Sequence, residues 1–368
     1  MKLILINFFR ERFNVMSCLM SDSKSKWSRQ FAAMSFLSAI LIVALHTLCA
    51  ARSNAFVKCL FCVIQGSLCQ AAIPWFFFAS GFLLGGHIGE LGWWRDAVLK
   101  RIRTIIVPFW IWSVVIYLFL SLIEVLSGIC GIDYRVAGSF DLFSWKGLVR
   151  VVGFDFRDTM PTMWYLRTLF ILVCVSVIIV KIRFWMLGLM FVLLIAWSAY
   201  PFEPSSIYRQ LGQNLLSLRG LFYFSAGLYC RRKASREPEY FKKYALGLAV
   251  CVVLFRLILK QSDANHVIVA IVDVVHIPIV TYALYVFCKK LHFGRFEKMA
   301  FPIYLLHMII AIALRGCFSI MGIGGAENMT FPKSIVIFLS TVFLSIVTCV
   351  LLCRAFPKFA RVAFGGRC

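Results

Sequence analysis

Charge is scarce in this chain, and acidic charge scarcest of all. Only 15% of the 368 residues are charged, and 16 Asp and Glu face 39 Lys and Arg. Soluble domains carry about a quarter charged residues, so an ordinary soluble fold is excluded. No cluster of Cys, His and carboxylates has metal-ligand spacing, and no Gly-rich phosphate loop, internal repeat or low-complexity tract occurs. Neither a metal nor a permanently bound cofactor is therefore expected. Zinc-finger spacing, a helix-turn-helix cue and a basic stripe with interleaved aromatics are also missing. Nucleic-acid binding goes with them, despite a net charge of +23.

What the chain has is apolar length. Hydrophobic residues make up 61% of it and its mean hydropathy is +0.87, the composition of a polytopic membrane protein. Apolar runs separated by polar or basic breaks predict ten transmembrane helices, at 31–50, 71–87, 104–127, 163–180, 184–200, 218–229, 244–259, 266–288, 299–320 and 334–353. The sixth is short for an unaided crossing and either starts earlier, near Leu211, or lines a cavity. With the N-terminus in the cytoplasm, about two thirds of the Lys and Arg fall on the cytoplasmic side. The expected fold is thus all-α, with both termini cytoplasmic. Residues 1–30 form an N-terminal extension, 31–353 the membrane domain and 354–368 a short basic tail.

Several segments stay open. The extension has no signal-peptide cleavage site and is either an interfacial helix or sequence upstream of a start at Met20. The long connection at 128–162 mixes Asp133, Asp141, Asp155 and Asp158 with Arg135, Lys146, Arg150 and Arg157, and is either a solvated loop or a surface for a polar acceptor. Most of the 14 cysteines, among them Cys174, Cys251, Cys288 and Cys349, lie in apolar spans and read as small packing residues. Cys59 and Cys62 form a Cys-x-x-Cys in the first external connection, without a redox fold around it.

His46 needs an explanation, because a titrating ring inside an apolar span costs free energy unless paired, wetted or used. It lies on the order of 22 Å along the first helix, in the outer half of the bilayer. Either it reaches interfacial water or it works there. Asp273 and His276 share a helical face in the same leaflet. In one reading Asp273 orients a catalytic imidazole; in the other it pairs with His276 or Arg256. The basic group Lys100, Arg101 and Arg103 marks a cytoplasmic end, as a topology signal or as an anion site.

Four blocks carry a resemblance: Ile73-Pro74-Trp75-Phe76-Phe77-Phe78-Ala79-Ser80-Gly81-Phe82, Lys100-Arg101-Ile102-Arg103 running into Ile106-Val107-Pro108-Phe109-Trp110, Met163-Trp164-Tyr165-Leu166-Arg167, and Phe301-Pro302-Ile303-Tyr304-Leu305-Leu306-His307. Together with His46, in this order and spacing, the chain resembles the acyltransferase-3 family of bacterial integral-membrane O-acyltransferases. The resemblance implies a multi-pass protein of the bacterial inner membrane. It implies transfer of an acyl group, acetyl by default, from acetyl-CoA or another acyl-CoA to a hydroxyl of a cell-surface or lipid-linked glycan. His46 is then the catalytic residue, as base or acyl carrier. Asp273 and His276 are further catalytic candidates, as is His307, which either lines the acyl pathway or makes a helix–helix hydrogen bond; Lys100, Arg101 and Arg103 are donor-binding candidates, and Arg167 either holds an acidic glycan or snorkels to interfacial water. Membrane lipids, acyl-CoA and glycan are the expected partners. The family's arginine about three helical turns before the histidine is replaced by Ser35, so its charge must come from Arg29 or from the Lys100 group. Ser80-Gly81 reads as close helix packing, with a nucleophilic serine as the alternative. The competing function is a polysaccharide exporter or flippase without acyl transfer.

Overall fold

The computed structural model describes residues 29–49, 54–129, 162–200, 217–233, 239–262, 264–320 and 330–367. Residues 1–28 of the N-terminal extension, Met20 among them, and most of the 128–162 connection lie outside them, while Arg29 and Gln30 already belong to the first helix. Among the described residues every regular element is a helix. Seven helices are long and apolar enough to cross a membrane.

Helix α1 (Arg29–Thr47) is the central strut. Its Phe31 packs on Trp75, Phe82 and Tyr285, and its Phe36 on Phe293. Helix α2 runs over Ala55–Gly85 and is interrupted by a π turn at Ile64–Leu68 and a 3-10 turn at Cys69–Ala71. Pro74 lies just beyond, and a proline ring has no N–H to give to the preceding turn. Helix α3 begins as Trp93–Arg101, makes a π turn over Ile102–Ile106 ahead of Pro108, and continues as Val107–Ile129.

Among the described residues, the remaining α-helices of more than one turn are α4 (Trp164–Cys174), α5 (Phe184–Ala199), α6 (Leu218–Lys233), α7 (Glu239–Gln261), α8 (His266–Cys288), α9 (Ala300–Ile320), α10 (Phe331–Ala355) and α11 (Pro357–Ala363). Helices α4 and α5 are apolar but short. The second predicted span began at Ala71, whereas α2 starts at Ala55. Lys58, Gln65, Ser67 and Gln70 dilute its first half, so hydropathy under-reads a helix that continues through the polar stretch. Cys59 and Cys62 therefore lie on α2 rather than in a loop, and both are free thiols.

Helices α2 and α6 meet backbone to backbone. A Cβ on Gly81 would stand 2.1 Å from the Phe224 carbonyl oxygen, and one on Gly227 the same distance from that of Phe78. Lipid supplies no hydrophobic force between helices, so such small-residue contact is what lets dispersion hold them. The packing reading is realised at Gly81, whereas Ser80 lines a cavity beside Tyr165.

Candidate active site

The last carbonyls of a helix have no partner within it, and inside a membrane they must find one elsewhere. At the end of α1 three other helices provide it. Gln65 of α2 donates from Nε2 to the carbonyls of Leu45 and Leu48, at 2.9 and 3.1 Å. Arg315 of α9 donates to the carbonyl of His46 at 2.5 Å. Ser334 of α10 donates to that of Cys49 at 3.1 Å. His46 is thereby fixed from three sides, and its ring lies 5.5 Å, centroid to centroid, from the ring of His307.

His307 is fully buried. Its Nδ1 sits 2.7 Å from the Tyr304 carbonyl and 3.2 Å from that of Ile303, both in its own helix. Carbonyls only accept, so Nδ1 carries the proton and the neutral ring keeps its lone pair on Nε2. That Nε2 is buried and has no hydrogen-bond partner among the described residues. One turn back along α9, the Tyr304 ring lies 6.1 Å from His307 and 5.7 Å from Tyr165 of α4. The Tyr304 hydroxyl donates to the Thr162 carbonyl.

Tyr165 and Tyr304 line a cavity of about 450 Å³ that also touches Ser35, Arg101, Lys298 and Arg367, with Glu297 as the carboxylate among them. Of the three residues in the predicted basic group, only Arg101 reaches it; Lys100 and Arg103 are exposed. Arg367 was read only as part of a basic tail. After α11 the chain turns through Gly365 and Gly366, both at positive φ. Trp112 donates to the Ala363 carbonyl at 2.9 Å and stacks on the buried Phe364, and Arg367 lies over the Phe301 ring at 3.9 Å. Its Nη1 is buried without a hydrogen-bond partner among the described residues. Burial, and then the like charge of Arg101, lower the Arg367 guanidinium to about 10, so it stays charged at neutral pH.

Ser35 itself accepts from Trp75 Nε1 at 3.2 Å. Helix α1 brings Ser35 to this cavity, and arginine side chains reach it from α3 and from the tail. Arg29 does not line it.

Asp273 and His276 are brought to a second cavity, not to the His46 ring pair. Asp273 accepts from Arg256 at 2.6 Å and pairs with Lys260 at 3.2 Å, and His276 Nδ1 donates to the Val272 carbonyl at 3.1 Å. Arg167 is buried, 5% exposed, rather than reaching interfacial water. It lines neither cavity. No group of three or more His, Cys, Asp or Glu fit for a metal occurs among the described residues.

The class defined by this bundle is a helical membrane protein in which a histidine pair, with the His307 ring buried, is linked through the packed rings of Tyr304 and Tyr165 to an arginine-lined cavity. An acyltransferase-domain family model matches residues 33–354, nearly the whole chain. The chain belongs to the acyltransferase-3 family and is a membrane acyltransferase. No curated protein and no solved structure matches it.

Proposed function

We propose that the protein transfers an acyl group, acetyl by default, from cytoplasmic acyl-CoA to a hydroxyl of a cell-surface or lipid-linked glycan, within a ten-span bundle of the bacterial inner membrane with both termini cytoplasmic. The observation that carries this reading is the row of packed rings, Tyr165, Tyr304, His307 and His46, that leads from the Arg101 and Arg367 cavity to the histidine pair. Guanidinium groups form charge-assisted, often bidentate bonds with phosphate, and CoA offers several phosphates. Three cations, Arg101, Lys298 and Arg367, line the cavity against one carboxylate, Glu297, and the like charge of Arg101 bears on Arg367, so an entering anion is stabilised there.

In this reading the phosphates rest on Arg101, Arg367 and Lys298, and the thioester arm points past the tyrosines. Neutral His46 takes the proton of the acceptor hydroxyl as its oxygen attacks the thioester carbonyl. The tetrahedral intermediate collapses, the C–S bond breaks, and the imidazolium returns its proton to the leaving thiolate. Ester and free CoA thiol result. His307, with Nδ1–H held by its own helix, acts as an acceptor at Nε2, for the His46 ring or for the substrate hydroxyl.

The test compares wild type with His46→Ala, following thiol release from acetyl-CoA by purified protein and glycan acetyl esters by NMR in cells, alongside total exported polysaccharide. Acetyl esters lost with export intact are expected. Normal acetylation with export lost would overturn the reading in favour of a transporter.

A further inference from the structure

The second cavity, about 390 Å³, opens between α2, α6, α7 and α8. Its charge does not balance. Arg219, Arg256 and Lys260 face a single carboxylate, Asp273, which is already bonded to Arg256 and Lys260. Arg219 feels the charge of Asp273 through space, yet no described residue gives its guanidinium a hydrogen bond or an ion pair. A structural ion pair needs one cation per carboxylate. Lys260 is 41% exposed near the end of α7, so the surplus cation that the bundle must accommodate is Arg219, and it calls for an anion.

The wall is shaped for approach. Gly66 sits in the π turn of α2, where a Cβ would lie 2.7 Å from Arg256 Nη1. Any other residue there would push the guanidinium away. π turns inside α-helices recur at functional sites, and this one also turns Gln65 onto the carbonyls flanking His46. One residue thus borders both the cavity and the candidate catalytic histidine.

His276 adds a different chemistry. It is 1% exposed, and its Nδ1–H is committed to the Val272 carbonyl. Its Nε2 is buried and makes no hydrogen bond of normal geometry among the described residues, and the ring lines the cavity beside the backbone of Gly66, so in the neutral ring this nitrogen carries a lone pair. That atom accepts a hydroxyl. A cavity with spare cations and a buried hydroxyl acceptor selects a hydroxyl-bearing anion.

We propose that this cavity binds an acidic sugar, with Arg219 and Lys260 taking its carboxylate or phosphate and His276 Nε2 accepting one of its hydroxyls. That this sugar belongs to the acyl acceptor rests on the function proposed above; that the cavity binds it does not.

The test uses the full chain in nanodiscs of zwitterionic phosphatidylcholine, and titrates glucuronate, glucose 6-phosphate and glucose by saturation-transfer NMR. At least one acidic sugar is expected to bind about tenfold or more tighter than glucose, and Arg219→Gln to remove that advantage. His276→Phe is expected to weaken the acidic sugar further while leaving the response to acetate or inorganic phosphate unchanged. CoA binding, read on the same samples, shows that the variants are folded, and Arg101→Gln is expected to alter CoA binding alone. Preference for glucuronate or for the phosphate tells which anion the cavity takes. Glucose binding as tightly as both acids, an Arg219→Gln variant with unchanged preference, or affinity only for phosphatidylglycerol introduced into the disc would overturn the proposal. Sugar binding without any thioester consumption would leave this site standing and sink the acyl-transfer reading instead.

Discussion

Gly365 packs against the carbonyl of Thr104, so closely that a Cβ on it would lie 2.5 Å from that oxygen. The contact exists because Pro108, four residues on, has no N–H to occupy the Thr104 carbonyl, and because Gly365 adopts φ +61, a conformation other residues rarely take. A proline in α3 thereby creates the seat on which the C-terminal tail turns, and the turn delivers Arg367 to the cavity.

Gly365→Val should therefore displace the tail without unfolding the bundle. The expected result is a loss of CoA affinity of about tenfold or more, matched by Arg367→Ala and largely recovered in Arg367→Lys, since one charged contact is worth about 1.5–3 kcal/mol. Isothermal titration with CoA measures it. Wild-type affinity in both Gly365→Val and Arg367→Ala would remove the tail from the donor site.

The histidine pair predicts non-additivity. If His46 and His307 act as one unit, His46→Ala should slow thiol release from acetyl-CoA by about 10²-fold or more, and His307→Ala added to it should cost little further. Stopped-flow detection of the thiol with an alcohol acceptor present gives both numbers. Independent, multiplying losses would mean that the two rings serve separate steps.

How far these features were legible in the sequence depended on their physical origin. The helices were, because a span must hide its backbone in a long apolar run, and the predicted runs at 266–288 and 299–320 lie close to α8 and α9. The early half of α2 was not, since Gln65 and Ser67 bond to other helices, Gln70 bonds within α2 and Lys58 is exposed, and hydropathy counts all four only as polar. His46 and His307 could be named from the sequence, but their 5.5 Å approach depends on the side chains that cap α1. Arg315 and Gln65 do that capping, and nothing local in their sequence marks it. Arg367 looked like one more topology charge. The signal that sets it apart is the Gly365-Gly366 pair just before it, which marks a turn rather than a fraying end.

The contact between α2 and α6 predicts a stability effect separate from catalysis. Gly81→Leu forces a side chain into a space bounded by the Phe224 carbonyl at 2.1 Å, and α6 must move away. A loss of at least about 1–3 kcal/mol is expected, as for overpacked cores, with a lower unfolding temperature in detergent. Gly247→Leu is the control, because nothing lies within 4 Å of a Cβ there. Equal effects at the two positions would mean that helix propensity, not close approach, explains Gly81.

The last prediction separates two roles for Asp273. As the partner of Arg256, which is 6% exposed, it compensates a buried cation; as an orienting carboxylate it would assist chemistry. Asp273→Leu leaves the guanidinium unpaired, and breaking such a pair costs about 3–5 kcal/mol when fully buried, less here because Asp273 is itself a third exposed. The double variant Arg256→Met with Asp273→Leu removes both charges, and apolar replacement of a whole pair is often neutral or stabilising. Its unfolding temperature should return towards wild type, whereas thiol release with an uncharged alcohol acceptor should stay within a few fold throughout. A double variant that is as stable as wild type yet loses turnover by about 10²-fold would make Asp273 part of the chemistry. Stability recovered with turnover retained makes it the counter-ion that holds Arg256 against the π turn of α2.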